Sequence, residues 1–286
     1  MTDAGLTETE LTEGLLAPGA TESAELAALV DDVAILSTEQ QEHVAALHGE
    51  DRWGVDAMTQ RFTFTAPDGT ALVCGAHLLG TAAPGPGSWL WGWVNANGFP
   101  DAFFERSEAV RAATAARELV DPEVPLAAGL PLRLTLAAKS VTGIRAHYSA
   151  PVAGGTRMWL LIEHPDLALP APTVVRTLEA VRVTLESVQL TDHRAAVHAW
   201  ARHRGVPAAA VEPEEDLAPA TDAVRLPVSD GEVLVGFDAA GRIVNLRATA
   251  RPVEAESAAP QQAAPPDPSP AAGRPRGFLS RLLGRD

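Results

Sequence analysis

Gly87-Ser88-Trp89-Leu90-Trp91-Gly92-Trp93-Val94-Asn95 holds three of the chain's six tryptophans. It lies inside a run, Gly69 to Pro100, without Asp, Glu, Lys or Arg. Tryptophans spaced by two share one face of a strand, because successive β side chains alternate sides. Leu90, Gly92 and Val94 then line the other face, where Gly92 leaves room for a close neighbour. Each indole buries roughly 200 Å², worth about 5 kcal/mol gross at about 25 cal/mol per Å². The fold is therefore expected to be α+β, an antiparallel sheet built around this Trp strand with helices packed on one face.

Outward from that strand, Arg61 to Thr65 alternates and Pro67-Asp68-Gly69 turns into Ala71 to Gly75. Trp53 falls in a polar loop. On the N-terminal side a helix is predicted from Ser23. A second cap at Ser37-Thr38-Glu39-Gln40-Gln41 predicts another helix to Leu47, with Val44 and Leu47 inward. On the C-terminal side Asp101 opens a helix to about Leu119, and Leu132 to Val141 fits helix or strand and is read as helix. Gly143 to Ser149 and Thr156 to Glu163 form a hairpin. Thr173 to Leu190 fits helix or strand; Thr191 caps a helix to Arg204, stopped by Gly205. Residues 232–237 and 242–246 form a last hairpin.

The domain organisation follows from composition. Residues 1–22 read as a disordered acidic N-terminus and 23–190 as the main domain. Residues 191–250 are a helix plus hairpin that completes or is appended to it. A Pro/Ala-rich linker, 251–273, leads to a basic amphipathic tail, 274–286. If helical, the tail places Phe278 and Leu282 one turn apart, and Arg281 and Arg285 likewise. With Arg274, Arg276 and Leu279, these residues suit docking on a protein partner or an anionic membrane surface.

The net charge of −15 argues against nucleic-acid binding, which relies on neutralising phosphates. One cysteine, Cys74, excludes an internal disulfide and fits a reducing compartment. No basic residue precedes Arg52, so the start lacks the form of a secretory signal. The uncharged run is broken by Gly80, Pro84, Gly85, Pro86 and Gly87 and is no membrane span. These features predict a cytoplasmic protein, peripheral at the inner face of the membrane where the tail docks there.

The Trp-x-Trp-Gly-Trp-x-Asn pattern of Trp89 to Asn95 resembles the signature of an uncharacterised bacterial family, a domain of unknown function. Trp53-Gly54-Val55-Asp56, Phe62-Thr63-Phe64, Leu79-Gly80 and the Tyr148 strand ending near Pro151 agree in order. The resemblance runs from about Val44 to Pro165, more weakly to Phe237-Asp238. Val94 stands where the family pattern has a small residue. The resemblance implies no activity and no catalytic residue.

Several constellations invite a chemical reading. The Trp face is read as core; the alternative is a ligand pocket of Ser88, Trp89, Trp91, Trp93, Asn95 and Tyr148. Cys74 and His77, three apart on a strand, face opposite sides and make no nucleophile–base pair. His193, His198 and His203 step by five, turning about 140° each time around a helix, so they splay rather than converge on a metal. Arg194, His198 and Arg202 share a face, read as a solvated basic stripe. Asp31-Asp32, Glu50-Asp51 and Glu214-Glu215-Asp216 read as exposed turns and loops. No phosphate loop, nucleophile elbow or metal motif occurs. The expectation is a binding or adaptor protein without cofactor, recruiting a partner through its tail. The alternative is an enzyme or small-ligand carrier using a cleft beside the Trp strand.

Overall fold

The computed structural model describes residues 8–17 and 19–251. The chain opens with α1 (Glu8–Thr12) and α2 (Ala24–His48). Residues 8–22 thus correct the expected disorder in part: Leu11 is buried in the main core, and Gly14 bridges to Val188, with Gly14 N donating to Ser187 O at 2.7 Å. Gly129 N also donates to Glu10 O at 2.7 Å, and the buried Arg133 donates to Gly14 O at 3.1 Å and pairs with Glu22.

Ser23 caps α2 as expected, its Oγ accepting from Leu26 N. The predicted break at Ser37 does not occur. Thr38 Oγ1 donates to Ala34 O at 3.1 Å, and Ser37 Oγ accepts from Lys139 Nζ at 2.6 Å. Residues that would have capped a second helix are engaged from within the first. Val44 is buried, but Leu47 is 47% exposed rather than inward.

Next come β1 (Arg52–Asp56), β2 (Arg61–Thr65), β3 (Ala71–Ala83) and β4 (Ser88–Trp91). They are followed by α3 (Glu105–Ala113), α4 (Arg117–Val120), β5 (Glu123–Pro125), α5 (Leu130–Thr142), β6 (Ala146–Pro151) and β7 (Arg157–Glu163). The seven strands form one antiparallel sheet in the order β1-β2-β3-β4-β5, with β7 also on β3 and β6 on β7. Trp53 is therefore in an edge strand, not a loop. The strand that organises the sheet is β3, which pairs with β2, β4 and β7.

A bulge in β3 lets one strand serve two cores. Leu78 pairs with Leu160 and Gly80 with Trp159, leaving Leu79 as the extra residue and reversing the alternation. Before it, Cys74, Ala76 and Leu78 face a layer with Phe62, Phe64, Tyr148, Leu160 and Ile162. After it, Ala82 joins Leu79 in the main core with Trp89, Trp91, Trp159 and Leu161. α2, α5 and α3 cover this main-core face. On the other, Tyr148 of β6 reaches Phe62 of β2, ring centroids 4.7 Å apart, although β3 and β7 lie between their strands. The sheet is curled, and Val44, Phe103 and Phe104 help to close its inner face.

The Trp strand is shorter than predicted. β4 ends at Trp91, Gly92–Val94 forms a 3-10 turn, and Asn95 adopts φ 51°. Trp93 thus leaves the strand face; it is half-buried, with the Arg111 guanidinium 4.5 Å over its ring. Two glycines fix this packing. A Cβ on Gly80 would fall 2.6 Å from the Trp89 ring, and one on Gly92 2.6 Å from Leu78 O.

The rest of the chain comprises α6 (Val174–Ser187), α7 (His193–Arg204), β8 (Ala209–Val211), β9 (Asp222–Val228), β10 (Gly231–Phe237) and β11 (Ile243–Ala250). The ambiguous stretch is helix α6, capped by Thr173, and its buried threonines bond back to i−4 carbonyls. The last four strands make a separate antiparallel sheet, β11-β10-β9-β8, so the final hairpin does not complete the main one. Trp200 of α7 with Val224, Leu226 and Phe237 extends the main core. Asp31 lies buried in α2, not in an exposed turn. Its carboxylate accepts from Thr191 N and Asp192 N, holding the start of α7, whose cap is Asp192 rather than Thr191. Residues 252–286, with most of the linker and the whole tail, lie outside the described residues. No described helix is long and apolar enough to cross a membrane.

Cys74 is buried in the inner layer, and burial, with Asp166 adding to it, pushes its thiol up to about 11. His77 points to the other face and bonds Glu163 Oε1 at 2.9 Å. The native protein should resist a thiol reagent that labels the unfolded chain promptly. Rapid labelling of the native protein would contradict this placement.

Candidate functional site

The residues of the sequence-based pocket are not brought around one cavity. Trp89 and Trp91 are fully buried, Trp91 donating from Nε1 to Glu118 O at 3.0 Å. Ser88 is half-buried at the head of β4. Asn95 closes a turn, exchanging hydrogen bonds with Phe99 N at 2.9 Å and Phe99 O at 3.0 Å. Tyr148 belongs to the inner layer beside Trp53, ring centroids 5.2 Å apart. The recess beside Gly92 and Asn95 measures about 30 Å³, space for about one water.

Nor is the basic stripe of α7 simply solvated. Arg194 pairs with Asp222 at 2.6 Å and lies over Phe237, and the exposed Arg202 pairs with Asp32 at 2.5 Å, while His198 is exposed. Among the described residues no group of three His, Cys, Asp or Glu could hold a metal.

A cleft of about 490 Å³ lies elsewhere, a size that holds a small molecule. Its walls are the middle of α2, the end of α5, the adjoining ends of β6 and β7, the connector 164–169, Arg106 of α3 and the last turn of α7. Gln40 of α2 fixes the connector by donating to Leu167 O at 2.8 Å, and Gln41 anchors β6 through both backbone groups of His147.

Three arginines, Arg106, Arg145 and Arg204, line it in a strongly acidic chain. α5 ends at Gly143, whose φ of 73° turns the chain so that Ile144 is buried and Arg145 lines the cleft. Arg145 has no hydrogen bond or ion pair among the described residues. Arg106 lies 3.8 Å from Glu163 Oε1, an oxygen that His77 also shares, and its Nε is buried without a partner. Arg204 Nε lies 3.1 Å from Glu39 Oε2, and its Nη2 donates to Pro170 O. Trp200 Nε1 donates to the same Glu39 oxygen at 2.9 Å, while Glu39 Oε1 is buried without a partner. Burial raises the Glu39 carboxyl above its usual range against the Trp200 hydrogen bond and the Arg204 charge, and lowers Arg204.

Guanidinium groups present planar, fork-shaped donors that match carboxylate and phosphate oxygens. No Phe, Tyr or Trp lines the cleft; its ring-bearing residues are His164 and His203. Sequence reasoning missed it because Arg106, Arg145 and Arg204 come from separate elements at no fixed spacing. One signal was present: the polar run Ser37 to Gln41, which reads as a helix cap but is the buried polar middle of α2.

No curated protein and no solved structure matches the chain. Residues 27–165, which hold the main sheet with Glu39, Arg106 and Arg145 but not α6, α7 or Arg204, match the model of a family described as "Family of unknown function (DUF6882)".

Proposed function

We propose that the protein binds a small anion, a carboxylate or an oxyanion, in the cleft of Arg106, Arg145 and Arg204. The observation that carries this is Arg145: a half-buried arginine lining a cavity, without a hydrogen bond or ion pair among the described residues and with only a longer-range attraction to Glu39. Fully buried arginines are paired, and a half-buried one beside a cavity keeps donors turned to solvent or to a ligand. The small-ligand reading thus moves from the Trp strand to this cleft, and its chemistry is recognition rather than bond-making. A thermal-shift screen against acetate and nitrate tests it. A ligand at about one hundred times its Kd adds about 2.7 kcal/mol, a rise of several degrees. Arg145→Gln should weaken binding about 10- to 100-fold, the worth of a charge-assisted contact, and so cut the rise to about half or less at the same ligand concentration. An equal rise in wild type and variant would sink the proposal.

The tail supports a second, separable reading, recruitment of this cytoplasmic protein to a partner or to an anionic membrane surface. Arg274, Arg276, Arg281 and Arg285 oppose only Asp286 there. Each basic residue near acidic lipid is worth about 1 kcal/mol, and repulsion by the acidic body keeps binding weak and salt-sensitive. The full-length protein should co-sediment with acidic vesicles at low salt and a tail-deleted form should not. Equal pelleting of both, or of neither, contradicts the membrane version.

A further inference from the structure

We propose that Glu39 sets the charge of the anion the cleft accepts, by neutralising Arg204 from behind. This rests on the anion-binding reading and adds a selectivity rule to it.

Arg204 lines the cleft on one side and meets Glu39 on the other, at 3.1 Å. Glu39 is 2% exposed, so no bulk water screens the pair from its protein side. Trp200 Nε1 holds the carboxylate oxygen that faces Arg204. The charged groups around Glu39 are Arg204 of α7, Arg176 of α6 and Arg145 before β6, with Glu42 on its own helix. His43 lies on the same helix turn, in contact with Arg176.

Counting the charges in the cleft and directly behind it gives Arg106, Arg145, Arg204 and Arg176 against Glu163, Glu39 and Glu42, a surplus of one. That surplus suits a monoanion. A second negative charge on the ligand would meet no uncommitted cation, inside a protein whose net charge is −15. Removing the Glu39 charge raises the surplus to two and favours a dianion. The selectivity of the cleft is thus set by a carboxylate that the ligand never touches, so Glu39 is a positioning and charge-setting residue.

Sulfate and nitrate are suitable probes, a dianion and a monoanion of similar oxygen chemistry. Their affinities are measured by calorimetry at about pH 8 and constant ionic strength on the full chain. Glu39→Gln should move the sulfate-to-nitrate affinity ratio about tenfold towards sulfate, the order expected for one uncompensated charge nearby. Glu39→Asp, which withdraws the charge by one methylene, should move it the same way by less. The Asp variant carries the test if the Gln variant does not fold. Merely structural damage would weaken both anions together and leave the ratio in place. Binding with an unchanged ratio in the folded variants overturns this inference and leaves the cleft as an anion site. Failure of wild type and variants to bind either anion overturns both.

Discussion

Replacing Trp91 by alanine should cost about 3–5 kcal/mol, the usual range for deleting a large aromatic from a packed interior. The ring is 1% exposed, meets Trp89 edge to face at a centroid separation of 5.5 Å, and stands in the layer that α2 and α5 cover. Its loss opens a cavity and also removes the donor that satisfies Glu118 O. Trp53, 39% exposed on an edge strand, should cost far less on the same change. Urea denaturation of the two variants checks both statements. A Trp91→Ala midpoint equal to that of wild type would contradict the core assignment of the Trp strand.

Lys139→Met should have the opposite sign and stabilise the protein. Lys139 is the chain's only lysine, 1% exposed, and its Nζ has Ser37 Oγ as its hydrogen-bond partner. Burial lowers its pKa well below 10.5, so the folded protein gives up a proton that the unfolded chain keeps. Between the folded pKa and 10.5 the unfolded state binds more protons, so this group's contribution to stability rises with pH, by at most about 1.4 kcal/mol per unit. The cost is fully present below the folded pKa and gone above 10.5. The variant should therefore melt higher than wild type near neutral pH, with the gap closing as pH approaches 10.5. A gap that is constant with pH, or a destabilised variant, would show that Lys139 is charged and paired in the folded state.

Much of the fold is legible in the sequence because the signals are local. The Ser23 cap, the hairpin of β6 and β7, the last hairpin and the Gly205 stop, with φ 66°, each depend on residues close in the chain. The failures have non-local causes. Ser37 and Thr38 look like a cap until Lys139 and Thr184, more than one hundred residues away, supply partners inside a continuous helix. Trp93 keeps the spacing of a strand residue, but the backbone turns at Gly92, where Leu78 O approaches too closely for any side chain. The phase of β3 reverses at Leu79 because a bulge must serve two cores, and no alternation within 71–83 announces it. The arginine cleft was the least legible, since its charges meet only after α3, α5 and α7 have docked.

That convergence of arginines is the central claim, and side-chain Nε–Hε resonances test it most directly. Nitrate titrated into the isotope-labelled protein should shift the signals of Arg145 and Arg106 in a saturable way. Those of Arg182 and Arg247, which are bound to surface carboxylates, should move only with bulk ionic strength. Uniform, non-saturating shifts across all arginines would contradict an anion site in the cleft.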